Sequence, residues 1–195
     1  MKLNKAFASR VRELLKENKI KKCCFIGHRK IKETNELRER LKEIIEDMII
    51  NKNVREFLFG SKSEFDSLCH QEVSELKVKY ENIKRIKYTF KSEGCYLERE
   101  KDKWKNILSD RLSIKEKIDC YEEEKEFKEK YVSGKASYIE RNQEMIDDSE
   151  YCVFYYDKEY EPIVKTNAII NKPKSGTEIA YKYAKRKGKE IINVF

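Results

Sequence analysis

The sequence predicts an α/β protein: a Rossmann-like parallel sheet with helices on both faces, in a single domain with an extra N-terminal helix. Three observations lead there. The apolar run 151–156, without polar alternation, reads as a strand covered on both faces, Cys23–Ile26 as a buried run in another strand, and Val54–Phe59 as a further strand. The segments between them carry apolar residues at helical spacing, so strand and helix alternate along the chain, the pattern of a parallel sheet. Each strand run ends on Gly or a polar turn, and a hydroxyl residue stands ready to cap a following helix.

In chain order, Leu3, Phe7, Val11, Leu14 and Leu15 mark an amphipathic helix within 1–21, either packed on the sheet edge or serving as an oligomer contact. The main domain then runs over 22–195. Its first strand, 22–27, breaks at Gly27–His28–Arg29, and Thr34 is positioned to cap a helix bearing Leu37, Leu41, Ile44, Ile45, Met48 and Ile49. Val54–Phe59 ends at Gly60–Ser61, and Ser63 or Ser61 can cap a helix bearing Phe65, Leu68, Cys69, Val73 and Leu76. Residues 83–90 form the third expected strand. Beyond Gly94 a charged helix is expected around Trp104, Ile107 and Leu108. The segment 110–134 is so dense in charge that it reads as an exposed helix or loop excursion.

Ser133–Gly134 turns the chain into a helix that ends near Ser149, with Tyr138, Arg141 and Met145 expected on one side. After the strand at 151–156 comes a long connection, 157–174, without periodicity and carrying Tyr160, Asn167 and Asn171. Its length makes a ligand-gated lid the expectation. Ser175–Gly176–Thr177 opens the last helix, whose inward face is Ile179, Ala180, Tyr183 and Ala184. That helix ends at Gly188, and 190–195 closes the sheet.

Composition narrows the classes. No apolar run approaches the roughly 20 residues of a membrane span, and the charged N-terminus lacks the core of a signal peptide, so a cytoplasmic protein without membrane attachment is expected. The six cysteines form no CxxC pair and several lie in apolar runs, which favours buried free thiols over disulfides or zinc. With only two histidines, His28 and His70, no metal site and no cofactor is assigned. The net charge of +8 invites a nucleic-acid partner, but the lysines are spread among 36 acidic residues, and that argues against a basic groove.

In parallel sheets ligands sit beyond the carboxyl ends of the strands. The residues expected there are Gly27, His28 and Arg29; Gly60, Ser61 and Ser63; Asp157; and Lys174, Ser175, Gly176, Thr177 and Glu178. Helix N-termini with free N–H groups, together with Arg29, Arg141 and Lys174, suit a phosphorylated ligand. Arg141, with Asn142 beside it, lies on the inward side of its helix and requires a partner. A carboxylate of Glu140, Asp147 or Asp66 would serve structurally, and a ligand phosphate functionally. Asp66 has two readings, a helix-dipole partner in the first turn or an acceptor for ribose hydroxyls.

Four motifs in order, "CFIGHR" at Cys24–Arg29, "FGSKSEFD" at Phe59–Asp66, Glu140–Arg141 with Met145 before an acidic turn and apolar strand, and the Gly176–Thr177 helix start, resemble the SLOG superfamily, which contains the SMF/DprA and LOG proteins. The resemblance spans about 22–195. It implies a Rossmann-like fold and a nucleotide-derived ligand, favours Asp66 as a ribose contact and gives Trp104 a counterpart in one branch. It also implies a homo-oligomer, dimer or tetramer, because relatives pair through helices. One implied ligand class is ADP-ribose, its cyclic isomers and related NAD derivatives, as recognised by the sensor of the Thoeris antiphage system, so antiphage signalling is an implied setting.

The LOG branch implies an alternative, hydrolysis of the N-glycosidic bond of nucleoside monophosphates. Its members carry a Gly-Gly-x-Gly-Thr-x-x-Glu run with a catalytic Glu. Here Pro173, Lys174 and Ser175 precede Gly176, and Ala180 occupies the position of that Glu. Glu178, about 200° around the helix from Ala180, would have to substitute, with Arg141. A binding protein, sensing or sequestering its ligand, is therefore the leading expectation; a nucleic-acid or protein-interaction module is the third.

Overall fold

A computed structural model of the chain describes residues 19–60, 63–90, 121–127, 134–160 and 175–195. Within them lie six strands, β1 (Lys21–Gly27), β2 (Val54–Phe59), β3 (Lys84–Phe90), β4 (Glu123–Phe127), β5 (Tyr151–Tyr155) and β6 (Glu190–Asn193). Four helices accompany them: α1 (Asn35–Asn51), α2 (Glu64–Lys79), α3 (Gly134–Asp147) and α4 (Gly176–Arg186). The expected helix over 1–18, Ser61, the Trp104 segment, most of 110–134, and 161–174 with Lys174 fall outside the described residues, so the lid expectation has no described counterpart beyond Tyr160.

The strands form one sheet in the order β4-β3-β2-β1-β5-β6, and every neighbouring pair is parallel. From β1 the chain steps outward through β2 and β3 to β4, then resumes on the opposite side of β1 with β5 and β6. The order therefore reverses between β1 and β5, where the register brings Gly27 opposite Tyr155. In open parallel sheets this crevice is where ligands bind.

Alternation along the strands divides the core into two layers. Cys23, Phe25, Phe57, Phe59 and Val153 face α1 and α2, meeting Leu41, Ile45, Met48, Phe65, Leu68 and Val73. Cys24, Ile26, Leu58, Ile86, Cys152 and Phe154 face α3 and α4, meeting Met145, Ile146, Ala180 and Ala184. Because β1 and β5 are buried on both sides, their apolar runs are continuous in the sequence, while β2 is interrupted by the half-buried Arg55 and Glu56.

The helix starts are set by hydroxyl caps. Thr34 Oγ1 accepts from Leu37 N–H at 3.2 Å, Ser63 Oγ from Asp66 N–H at 3.1 Å, and Ser175 Oγ from Glu178 N–H at 3.0 Å. Each satisfies one of the amide donors that a helix leaves orphaned at its first turn. At the other end of α4, Gly188 takes φ +66°, the left-handed conformation that closes a helix and that glycine adopts without strain.

Three expectations need correction. Part of the charged excursion is neither helix nor loop: 123–127 pairs with β3 as the sheet edge. An edge strand that is only partly covered on one face, here by way of Lys125 and Phe127, needs no apolar run, and its charges are matched across the ladder by Lys87 with Glu124 at 3.3 Å and by Arg85, whose guanidinium is held at 2.6 Å by Glu122 just before the strand. The last two strands are shorter than read, ending at Tyr155 and Asn193. The Asn193 side chain takes over there, accepting from Tyr156 N–H and donating to Tyr156 C=O, both at 3.0 Å. On α3, Arg141 and Met145 are buried but Tyr138 is 47% exposed, a rim residue with the Arg141 guanidinium carbon 5.1 Å from its ring centre.

Four cysteines, Cys23, Cys24, Cys69 and Cys152, are free and buried; Cys95 and Cys120 lie outside the described residues. No helix among the described residues is long and apolar enough to cross a membrane.

Candidate functional site at the strand-order reversal

The helices run antiparallel to the strands they follow, so α2 and α4 begin where β2 and β5 end. The N-terminus of α2 is spent on structure. Glu64 N–H donates to Arg29 C=O at 3.0 Å, and the Glu64 carboxylate accepts from Ile31 N–H at 3.0 Å, which fastens the loop after β1 to the helix. Lys32 N–H adds a contact to Tyr155 Oη at 3.4 Å. The Arg29 side chain is exposed on the outer side of this loop.

Gly27 and Gly60 both lie at the carboxyl edge, and the space each leaves open is filled by protein. A Cβ at Gly27 would stand 2.4–2.6 Å from Phe65 of α2. At Gly60 it would stand 2.9 Å from Cδ and Nε of Arg141 and 2.7 Å from Met145 Sδ. Gly27 therefore admits α2 to the sheet, and Gly60 admits Arg141 of α3. Gly176 differs, since a Cβ there would meet nothing among the described residues within 4 Å.

Asp66 is buried, and its Oδ1 faces Gly60 N–H at 3.5 Å. Asp147 lies at the far end of α3 and is bound by Lys187 at 2.8 Å and Tyr183 at 2.7 Å, so this carboxylate is engaged away from Arg141. Arg141 itself is 2% exposed, a guanidinium held inside the α3 layer above the end of β2.

His28 follows Gly27, whose missing side chain would point to α2, so His28 faces the α3/α4 side. It is 2% exposed. Its ring stacks on Tyr160 at 3.9 Å and lies 6.0 Å from Tyr156, which in turn contacts Tyr181 of α4 at 4.7 Å. Backbone and side chain both tie it to β5: His28 N–H donates to Tyr155 C=O at 3.3 Å, and Asp157 N–H donates to His28 Nε2 at 3.0 Å. Burial lowers the imidazole pKa below its ordinary 6.5, outweighing the opposing influence of Asp157. Asp157 forms a tight turn, its carboxylate accepting from Glu159 N–H at 2.8 Å.

α4 completes the group. By helical geometry the N–H groups of Gly176 and Thr177 have no intrahelical acceptor, and Ser175 Oγ serves only that of Glu178. Thr177 is buried, and Glu178 pairs with Lys182 one turn along. Ala180 is 2% exposed and packed in the core, on the inward side of the helix.

On the α3/α4 face, then, the sheet edge carries Arg141 over β2, His28 just after β1, Tyr156 and Asp157 just after β5, and the first turn of α4. A family model described as the YspA SLOG family matches residues 24–193. The chain belongs to the YspA SLOG family. No curated protein matches it. Membership in this SLOG family makes the chain a Rossmann-like protein of the nucleotide-ligand-binding kind.

Among the described residues, the YspA SLOG chain gathers no three His, Cys, Asp or Glu side chains able to hold a metal ion. Asn142, adjacent to Arg141, has a buried Oδ1 without a hydrogen bond among the described residues. One contributor escapes the sequence reading: Asn193, which fixes the Tyr156 backbone, reads there only as part of the closing strand. The available signal was a single amide side chain in the otherwise apolar Ile191–Phe195 run.

Proposed function

We propose that this chain binds a phosphorylated, nucleotide-derived ligand of the ADP-ribose, cyclic ADP-ribose or NAD-derivative class, as a sensor or a sequestering protein. One observation carries the reading: the open first turn of α4 stands at the strand-order reversal on the same face as the buried Arg141. Helix N-termini favour anions through oriented N–H groups and the axial dipole, and a guanidinium adds a paired, directional donor. The absence of a Cβ at Gly176 permits close approach of a phosphate to the backbone. Tyr156, Tyr160 and Tyr181 supply flat surfaces for a base.

The position corresponding to the LOG catalytic glutamate supports binding over N-glycosidic hydrolysis, because Ala180 carries no carboxylate and its side chain is buried in the core.

Calorimetric titration with ADP-ribose, cyclic ADP-ribose, NAD and AMP tests the proposal. Saturable binding of at least one is expected, with affinity reduced in Arg141→Ala and Thr177→Ala. Lack of heat and of any thermal shift with all four overturns it.

A further inference from the structure

We infer that His28 is a ligand-contacting residue, whose imidazole donates its Nδ1–H to a phosphate oxygen of the bound nucleotide derivative. The inference rests on the binding reading above and names a donor within that site.

The tautomer follows from the backbone. Asp157 N–H points at His28 Nε2 from 3.0 Å, and a nitrogen that accepts a hydrogen bond cannot carry the proton. In the neutral ring the proton is therefore on Nδ1. That atom is buried and has no hydrogen-bond partner among the described residues. Buried donors without acceptors are rare and costly, so such an atom in a residue that is 2% exposed calls for an explanation.

Packing does not supply one. The ring is stacked on Tyr160 and flanked by Tyr155 and Tyr156, a setting that a purely aromatic side chain would fill without stranding a polar atom. Position does supply one. β1 lies between β2, whose end is covered by Arg141, and β5, which leads toward α4. His28 thus occupies the middle of the face that those two cationic features border. A phosphate between them would accept from Nδ1–H, and a hydrogen bond to an anionic oxygen is stronger than a neutral one. Because Asp157 N–H orients the ring, the turn Asp157–Tyr160 acts as the support that holds this donor in place.

The test uses the full chain with AMP and ADP-ribose as phosphorylated probes and adenosine as the probe without phosphate. With only two histidines, ring nitrogen resonances are assigned by comparison with His28→Gln. The free protein should show His28 as the Nδ1–H tautomer, and AMP or ADP-ribose should shift that nitrogen while adenosine does not. His28→Gln retains an acceptor near the Nε2 position for Asp157 N–H and lacks the Nδ1 donor. It should bind AMP about tenfold more weakly or worse, with its adenosine affinity unchanged.

An Nε2–H tautomer, an unmoved Nδ1 at saturation, or equal AMP binding by His28→Gln and the native chain overturns the inference while leaving the binding reading intact. Failure of the native chain to bind any nucleotide overturns both. If His28→Gln does not fold, the resonance shifts of the native protein decide alone.

Discussion

Arg141 fills the space that Gly60 leaves empty: a Cβ on Gly60 would lie 2.9 Å from the arginine Cδ and Nε. The glycine that looks like a ligand-approach residue in the sequence is instead the seat of the guanidinium stem. Gly60→Ala must push Arg141 and Met145 outward, an overpacking that costs about 1–3 kcal/mol. The melting temperature should fall, and nucleotide affinity should fall with it, because the guanidinium leaves its position. Calorimetry on the folded variant checks this; native affinity would show that the contact does not set the arginine.

Gly27 and Gly176 should respond in opposite directions. Gly27→Ala meets Phe65 at 2.4–2.6 Å, close to the α2 backbone, where the ring cannot swing aside, and should destabilise strongly. Gly176→Ala has open space and a helical position, so it should stabilise by roughly 0.5–1 kcal/mol. If a phosphate approaches the α4 backbone closely, the same substitution should weaken binding. A gain in stability together with a loss of affinity, read by thermal unfolding and calorimetry, is the expected pair.

Acid should act on the β3–β4 edge. Burial alone would raise the Glu122 pKa, but the Arg85 side chain, backbone N–H and charge, with Lys77, hold it at about 2. A carboxylate with a depressed folded pKa contributes stability that is complete above its unfolded value near 4.5 and is lost as pH falls toward about 2. Glu122→Gln should lower stability at neutral pH and flatten the acid limb over that window. Denaturant titrations at several pH values measure both.

His28 works in the same sense, at higher pH. Its folded pKa lies below 6.5, so the unfolded chain takes up the proton first, and stability should decline as pH drops below 6.5. A doubly protonated ring would also set an Nε2–H against Asp157 N–H, with Tyr156 and Tyr160 around it. Melting curves of the native chain should show this decline, and those of His28→Gln should show less of it.

Much of the fold was legible because two-faced burial writes continuous apolar runs and hydroxyl caps write helix starts. The Val54–Phe59 strand and the Thr34, Ser63 and Ser175 caps stand where the spacing predicts. β4 was illegible for a physical reason: an edge strand whose inner face is only half-buried reads Glu–Glu–Lys–Glu–Phe, with a single apolar residue, and carries no apolar run. The strand ends were legible by position, and what each glycine there admits was not. Glycine residues mark close approach without saying what approaches, and only coordinates reveal that Phe65 and Arg141 do so at Gly27 and Gly60. The engagement of Asp147 by Lys187 and Tyr183, and that of His28 by Asp157, depend on residues distant in sequence and leave no local pattern.

The most direct test of the central claim is a crystal structure of the chain with ADP-ribose. The account predicts a phosphate group between the N–H groups of Gly176 and Thr177 and the Arg141 guanidinium, on the α3/α4 face. A ligand bound on the α1/α2 face, or one whose phosphates touch neither α4 nor Arg141, would contradict it.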